Sequence, residues 1–229
     1  VSLLRPHIIR DLKLAKFGLE ILPLEASFTP YPDGRSLCRW PDPAMTRAEI
    51  QKFSKRDADL YPQFGMAMGK LARFAKAFID TPAPDPASLR PSDLIQLLGL
   101  GKSLQGLGND LAALQFKLST MSAVDFLREW FESDELMSPM SVSGIIGTFL
   151  GVKSPGTAYV LLHHYMGEID GASRAWGFPR GGTGAVSEAI ASAARHFGAE
   201  IRCSAPVEHI MVKGGKATGV VLEGGLHGD

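Results

Sequence analysis

The C-terminal stretch from residue 175 constrains the fold most, because both the start and the end of a helix can be located in it. Gly181-Gly182-Thr183-Gly184 precedes apolar residues that recur three and four positions apart, and Gly198 follows the last of them. This spacing predicts a helix over 184–197 with one apolar face. Three short strands are expected after it, at 199–203, 207–212 and 217–223, the last two joined by a turn at Gly214-Gly215.

The glycines raise a second interpretation, a loop that binds phosphate. A dinucleotide-binding loop follows an apolar strand directly and has the spacing G-x-G-x-x-G, because the strand aims the turn at the helix start. Here SRAWGFPR precedes the glycines, the spacing is only Gly182-x-Gly184-x-x-Ser187, and no Walker lysine follows. The helix start still offers backbone N–H groups to an anion. We therefore favour a turn that packs closely against a flat or bulky neighbour over a phosphate loop.

Helices are predicted through the middle of the chain. Thr46 and Glu49 have the spacing of a capping box, which predicts a helix from Thr46 to Asp80 that Pro62 breaks or kinks. The elements expected after it are a proline-rich loop over 81–93, one or two helices over 94–118 interrupted within 98–110, a helix over 123–133 capped by Ser122, and a helix of small residues over 141–152.

Two further segments carry a structural prediction. Pro32-Asp33-Gly34 indicates a turn, and the segments 19–24 and 36–40 on either side read as strands, so a small antiparallel hairpin is expected there. Residues 157–166, TAYVLLHHYM, predict a strand or another buried segment.

Side chains that could carry chemistry are few. His163 and His164 are adjacent, and on an extended segment they would point to opposite faces, so they would not share a metal ion. The sequence therefore predicts no metal site, and leaves open that one histidine faces a pocket as a polar or proton-transfer group. G-x-S-x-G does not occur, and Cys38 and Cys203 form no C-x-x-C pair. Chemistry is expected to be that of a cofactor.

The charge balance limits the classes of partner. Lys plus Arg equals Asp plus Glu at 24 each, and this zero net charge gives no electrostatic reason to expect nucleic acid or an anionic membrane as the main partner. A chain of zero net charge can also form a homodimer. No uncharged apolar run reaches the roughly 18 residues of a membrane-spanning helix. Two cysteines fit a reducing compartment, so a cytoplasmic location is expected, or the mitochondrial matrix if the source is eukaryotic.

Three stretches together resemble one family. VSLLRPHIIRDLKLAKFGLEILP at the N-terminus, FLREWFESDEL in the middle and the run from Tyr159 to Gly225 resemble the phytoene-dehydrogenase-like FAD-dependent oxidoreductases, most closely their branch of pyridine nucleotide-disulphide oxidoreductase domain-containing proteins. The resemblance covers nearly the whole chain. It implies an α+β fold, in which an antiparallel sheet with a helical insert forms a substrate-binding domain and a second part belongs to a glutathione-reductase-type FAD domain.

The resemblance divides the chain at residue 175, with the substrate-binding insert over 1–175 and a helix and strands of the FAD-binding domain over 176–229. It implies FAD as the cofactor, and oxidation or desaturation of an apolar small molecule by hydride transfer to the flavin. Val207 would offer its backbone to the adenine, and Gly181 and Gly182 would open a helix beside the flavin domain. The residues expected to orient the substrate are His163, His164, Tyr165 and Trp176, and no catalytic base is implied.

Departures from the family pattern concern the cofactor. The family's G-x-G-x-x-G loop with its acidic ribose-binding residue, and a second flavin-contacting motif near its C-terminus, have no counterpart in this sequence. The chain is therefore expected to be an internal fragment that is inactive and binds FAD weakly or not at all by itself. The alternative is a non-catalytic interaction or dimerisation module, in which helices within 46–80 and 94–131 bind a protein or a lipid.

Overall fold

A computed structural model describes residues 1–79, 82–169, 171–173, 175–224 and 227–228. The α-helices within them are α1 Pro6–Asp11, α2 Pro43–Gln51, α3 Lys55–Ile79, α4 Pro91–Gly106, α5 Asn109–Thr120, α6 Ala123–Arg128, α7 Asp134–Ser141, α8 Thr157–His164 and α9 Gly184–His196, with 3₁₀ turns at Leu14–Phe17 and Val142–Gly144. The strands are β1 Ile21–Pro23, β2 Ser27–Pro30, β3 Ser36–Arg39, β4 Glu168–Ile169, β5 Ala172–Ser173, β6 Gly177–Pro179, β7 Val207–Lys213, β8 Lys216–Leu222 and β9 His227–Gly228.

The described strands all pair antiparallel, as β1–β6, β2–β3, β4–β5 and β7–β8–β9. Helices occupy most of the chain between β3 and β4. This arrangement of helices beside small antiparallel sheets confirms the α+β class. The assignment of one part to a glutathione-reductase-type FAD domain stays a prediction.

The first predicted helix boundary was wrong. Asp42, not Thr46, caps α2, because its carboxylate accepts hydrogen bonds from the backbone N–H groups of Ala44 and Met45. Thr46 is buried one turn into the helix, where its hydroxyl accepts from the Trp40 N–H at 2.7 Å and donates to the Trp40 carbonyl at 2.8 Å. The capping-box spacing therefore marks a contact between α2 and the end of β3.

Of the two alternatives predicted at Pro62, a break or a kink, the break is wrong. The chain leaves α2 at Lys52, and α3 then runs without interruption from Lys55 to Ile79, with Pro62 inside it. The predicted end at Asp80 lies outside the described residues. Two helices follow as expected, and they are separated only at Leu107-Gly108, where Gly108 has a positive φ of 77°.

The hairpin is confirmed, although its first strand differs from the prediction. The turn 31–35 joins β2 to β3, and Phe28 pairs with Cys38. The segment predicted as the first strand contains β1, which instead pairs with β6, with Leu22 opposite Phe178. Local turn chemistry located the hairpin, whereas the pairing of β1 across more than 150 residues carries no local signal.

Three other segments differ from the predicted secondary structure. The segment 157–166 is buried, as one of the two predicted alternatives had it, but it is not a strand: α8 begins after Gly156, and Ala158, Leu161 and Leu162 are buried at helical spacing. The segment 141–152 is not a helix, since α7 ends at its first residue and a 3₁₀ turn and bends follow. Residues 199–203 form no strand in the described structure. The backbone there continues the cap of α9, with the Ala199 N–H donating to the Ala194 carbonyl.

Most buried apolar side chains of the described residues belong to one of two clusters. The larger lies among α2, α3 and α5–α8 and centres on Phe64, Met68, Phe126 and Leu161. In the smaller cluster, Leu14 and Leu19 from the N-terminal segment pack against Ala189 and Ala193 of α9. The two ends of the sequence therefore pack together, and the middle has a core of its own.

The sheet β7–β8–β9 is largely exposed. Val207, Ile210 and Val212 of β7 are all more than half exposed, and Leu222 of β8 is buried. Among the residues that the structure describes, no helix is long and apolar enough to cross a membrane.

Candidate functional site

The backbone conformation of the turn explains why residues 181 and 182 are glycines. Gly181 and Gly182 have φ values of 84° and 89°, in the left-handed region that side chains disfavour. A Cβ on Gly182 would meet nothing within 4 Å, and one on Gly181 would only touch the Cβ of Ala185 at 3.9 Å. Within the described chain, the expected close packing of this turn against a bulky neighbour is therefore wrong. The two left-handed residues let β6 reverse into α9.

The turn is held from both sides. The Arg180 N–H donates to the Glu20 carbonyl at 2.8 Å, and the Arg180 guanidinium donates two hydrogen bonds to the Glu20 carboxylate. These bonds lower the pKa of the Glu20 carboxyl and raise that of Arg180. On the other side α9 packs on the 3₁₀ turn Leu14–Phe17, where the rings of Phe17 and His196 lie 5.3 Å apart. The N-terminal segment thus positions the glycine turn.

Three of the four predicted substrate residues come together. His164 is buried at the end of α8, and its ring stacks on Trp176 with centroids 5.5 Å apart and planes at 15°. The His163 ring meets His164 edge to face at 5.4 Å. His163 and Trp176 are half-buried, so this ring group has one buried member between two that reach solvent.

The environment fixes the protonation of His164 at one nitrogen. Its Nδ1 lies 2.8 Å from the Val160 carbonyl, which can only accept, so Nδ1 carries a proton and donates it there. Burial, and then the neighbouring His164, lower the pKa of the His163 imidazole below its usual 6.5. The histidines lie on a helix instead of an extended segment, and the described residues contain no group of three or more His, Cys, Asp or Glu that could hold a metal ion.

The remaining predicted site residues lie elsewhere. Tyr165 packs against the larger core, with its ring edge to face on Phe64 at 5.9 Å. Val207 begins β7, pairs with Leu222 and is 51% exposed. The structure places Gly181 and Gly182 in the turn after β6, whereas Val207 lies in a different sheet.

Neither the glycine turn nor Val207 offers FAD an enclosed site among the described residues. Space around Gly182 is open and Val207 faces solvent, and among the described residues neither position has a buried polar side-chain atom that lacks a partner. A cofactor site normally buries most of its ligand and aims a few polar groups at it. The described residues therefore do not form an FAD site by themselves.

One structural residue near this region was missed by the sequence analysis. A Cβ on Gly177 would lie 2.7 Å from the Leu22 carbonyl oxygen and 2.8 Å from side-chain carbons of Ile21 and Ile169. Gly177 therefore allows β1, β4 and β6 to approach closely. The available signal was a lone glycine in the short strand GFP, a position typical of close backbone approach.

Two known proteins are similar to this chain over nearly its whole length. The rat (Rattus norvegicus) protein named pyridine nucleotide-disulfide oxidoreductase domain-containing protein 2 is 35% identical to this chain over 240 residues, which cover 98% of the chain. The mouse (Mus musculus) protein of the same name is 35% identical over the same extent. Both are homologues of this chain. No protein-family model matches it.

The homology supports the resemblance to the branch of pyridine nucleotide-disulphide oxidoreductase domain-containing proteins. It extends over nearly the whole chain, yet the chain spans only 41% of the length of these curated relatives. The name of these relatives does not mention phytoene dehydrogenase, so the wider family assignment stays a prediction. The relatives are oxidoreductase-domain proteins by name, and what that means for this chain is a proposal.

Proposed function

We propose that this chain is the helical, substrate-side part of a flavin-dependent oxidoreductase, joined to a segment of its FAD-binding domain. The observation that carries the proposal is the 35% identity to proteins named as pyridine nucleotide-disulfide oxidoreductase domain proteins, over 98% of the chain. A similarity this extensive supports a shared fold and a related chemistry. The substrate is proposed to be an apolar small molecule.

The arrangement of the two cores supports a helical unit inserted into another. The smaller core joins residues near the N-terminus to α9, and β1 pairs with β6. The larger core lies between these segments in sequence. We propose that the helices form the substrate-side unit, and that α9 and β7–β9 belong to the cofactor domain. The pairing of β1 with β6 then carries part of the N-terminal segment into the cofactor domain.

The open sheet supports a cofactor domain that extends beyond these residues. Strand β7 leaves apolar side chains in solvent, with Val207 and Ile210 more than half exposed. Strands in a complete domain bury at least one face. We propose that the remaining part of a longer protein covers this sheet, and that FAD binds there with Val207, Gly181 and Gly182 at its edge.

The ring group of His163, His164 and Trp176 is the proposed wall of the substrate site. His164 holds the plane of Trp176 by stacking and is itself fixed by its bond to Val160. Trp176 and His163, which reach solvent, would contact the substrate. In this proposal His164 is a positioning residue.

Flavin retention tests the proposal. The 229-residue chain and a protein with the full length of the relatives are each mixed with FAD and desalted, and visible absorbance is recorded. We expect the flavin band to stay with the longer protein and to be lost from the shorter chain. A longer protein that folds and yet retains no flavin would refute the flavoprotein assignment.

A pair of variants in the longer protein tests the ring group. Trp176→Leu should change the response of the bound flavin spectrum to apolar substrate analogues, whereas Trp40→Leu, at the end of the hairpin, should leave it unchanged. Equal responses from the two variants would remove Trp176 from the site and leave the flavin assignment intact.

A further inference from the structure

Helix α4 presents an apolar face that the described structure leaves uncovered. No residue of α4 is buried. Its half-buried Leu97, Leu100 and Leu104 lie on one side by their spacing. The other side carries Leu94, Ile95 and Leu98, which are 42%, 69% and 67% exposed, and Lys102 follows on the same side. These four residues are called the α4 face. Contiguous exposed apolar surface of this kind marks a site of interaction.

Cations lie near the C-terminal end of α4. A shallow groove of about 540 Å³ runs along α4 past Leu94, Leu98 and Lys102 to Gln105. A second depression of about 470 Å³ begins at the next residue, Gly106, and is lined by Lys70, Arg73, Phe74 and two leucines. No acidic side chain lines either depression. Among the described residues, Lys70, Arg73 and Lys102 make no ion pair.

We propose that the α4 face docks on an anionic lipid bilayer. Leu94, Ile95 and Leu98 would enter the boundary between head groups and acyl chains, with α4 parallel to the surface. Lys70, Arg73 and Lys102 would lie against the anionic head groups. The charge pattern favours this partner, because an apolar surface whose adjoining depressions are lined by cations and by no acidic side chain complements an anionic interface.

The zero net charge of the chain does not oppose this inference. Salt screens charges beyond roughly 8–10 Å, so a bilayer responds to the cations that touch it more than to the total charge. A total charge of zero does not show how the cations are distributed over the surface. The inference rests on the α4 face alone and is independent of the proposed oxidoreductase function.

Co-sedimentation with vesicles tests the inference. The full chain is mixed with phosphatidylcholine vesicles, with or without about 30 mol % phosphatidylserine, at low and high salt. We expect binding only to the anionic vesicles, weakened by salt. Leu98→Asp should reduce the partition coefficient at least tenfold. Phe28→Asp, a matched change at a side chain that is 66% exposed on β2, should leave it within twofold.

A second pair of variants isolates the charge. Lys102→Glu should lower binding more than fivefold, since it removes a cation and adds an anion, whereas Lys153→Glu, on an exposed bend, should have little effect. Urea denaturation curves that match the parent chain show that a variant is folded. Binding that survives both α4 substitutions, or that does not depend on phosphatidylserine, would overturn the inference. A dimer in sedimentation that Leu98→Asp converts to monomer would overturn it in favour of a second copy.

Discussion

The carboxylate of Asp57 accepts a hydrogen bond from the backbone N–H of Ser133 at 2.9 Å, and the Ser133 hydroxyl donates to the same oxygen. The Glu132 N–H donates to the other Asp57 oxygen at 3.0 Å. Asp57 is fully buried in the first turn of α3, and Ser133 lies at the entrance to α7. One side chain therefore satisfies buried polar groups 76 residues away and fixes α7 against α3.

Replacing Asp57 should destabilise the whole helical core. Asp57→Ala leaves the N–H groups of Glu132 and Ser133 and the buried Ser133 hydroxyl without their acceptor, and we expect the free energy of unfolding to fall by about 3 kcal/mol. Asp59→Ala, which removes an exposed partner of Arg47, should cost less than about 1 kcal/mol. Urea denaturation followed by circular dichroism measures both. Equal losses in the two variants would contradict the role given to Asp57.

Gly177 should tolerate no side chain. A methyl group there would overlap the Leu22 carbonyl oxygen, which belongs to the paired strand and cannot move freely. We expect Gly177→Ala to lower the free energy of unfolding by about 2 kcal/mol. Gly184→Ala is the control, since its Cβ would meet nothing within 4 Å and it lies in a helix. A Gly177→Ala protein as stable as the parent would show that β1 and β6 separate at little cost.

Substitutions of Gly182 separate backbone strain from packing. Its φ of 89° with open space around it predicts that Gly182→Ala costs about 1 kcal/mol in unfolding free energy, and that Gly182→Asn costs less, because Asn adopts left-handed conformations more readily. A closely packed turn would give the opposite order, since Asn is larger than Ala. Thermal unfolding of the two variants beside Gly184→Ala decides between these orders.

The caps and turns that were predicted correctly are determined by residues close together in the sequence. Ser122 caps α6 as expected, its hydroxyl accepting from the Asp125 N–H, and Gly198 ends α9. The turn between β7 and β8 was also located, because glycines in tight turns act through their own backbone. Each of these signals is complete within about five residues.

What was missed depends on distant contacts. The helical state of α8 follows from packing against α5 and α6, and an eight-residue apolar segment carries too little periodicity to choose between helix and strand. The stack of His164 on Trp176 and the pairing of β1 with β6 join residues that no local rule connects. The structure brings His163, His164 and Trp176 together, with the histidines on a helix instead of the predicted extended segment, and their role in a substrate site stays a prediction.

The acid sensitivity of the fold should depend in part on His163. Burial and the adjacent His164 hold the pKa of His163 below its usual 6.5 in the folded chain, so protonation favours the unfolded chain. The neutral His163 ring contributes stability at a pH above the pKa that His163 has in the unfolded chain. This stability is lost as the pH falls from about 6.5 towards the lower pKa of the folded chain. We expect His163→Gln to flatten the decline in unfolding free energy between about pH 7.5 and 5.5.

Urea denaturation across this range measures the decline, with His7→Gln, at an exposed position in α1, as the control for loss of an imidazole. An acid decline equally steep in His163→Gln and in the parent chain would contradict the assignment.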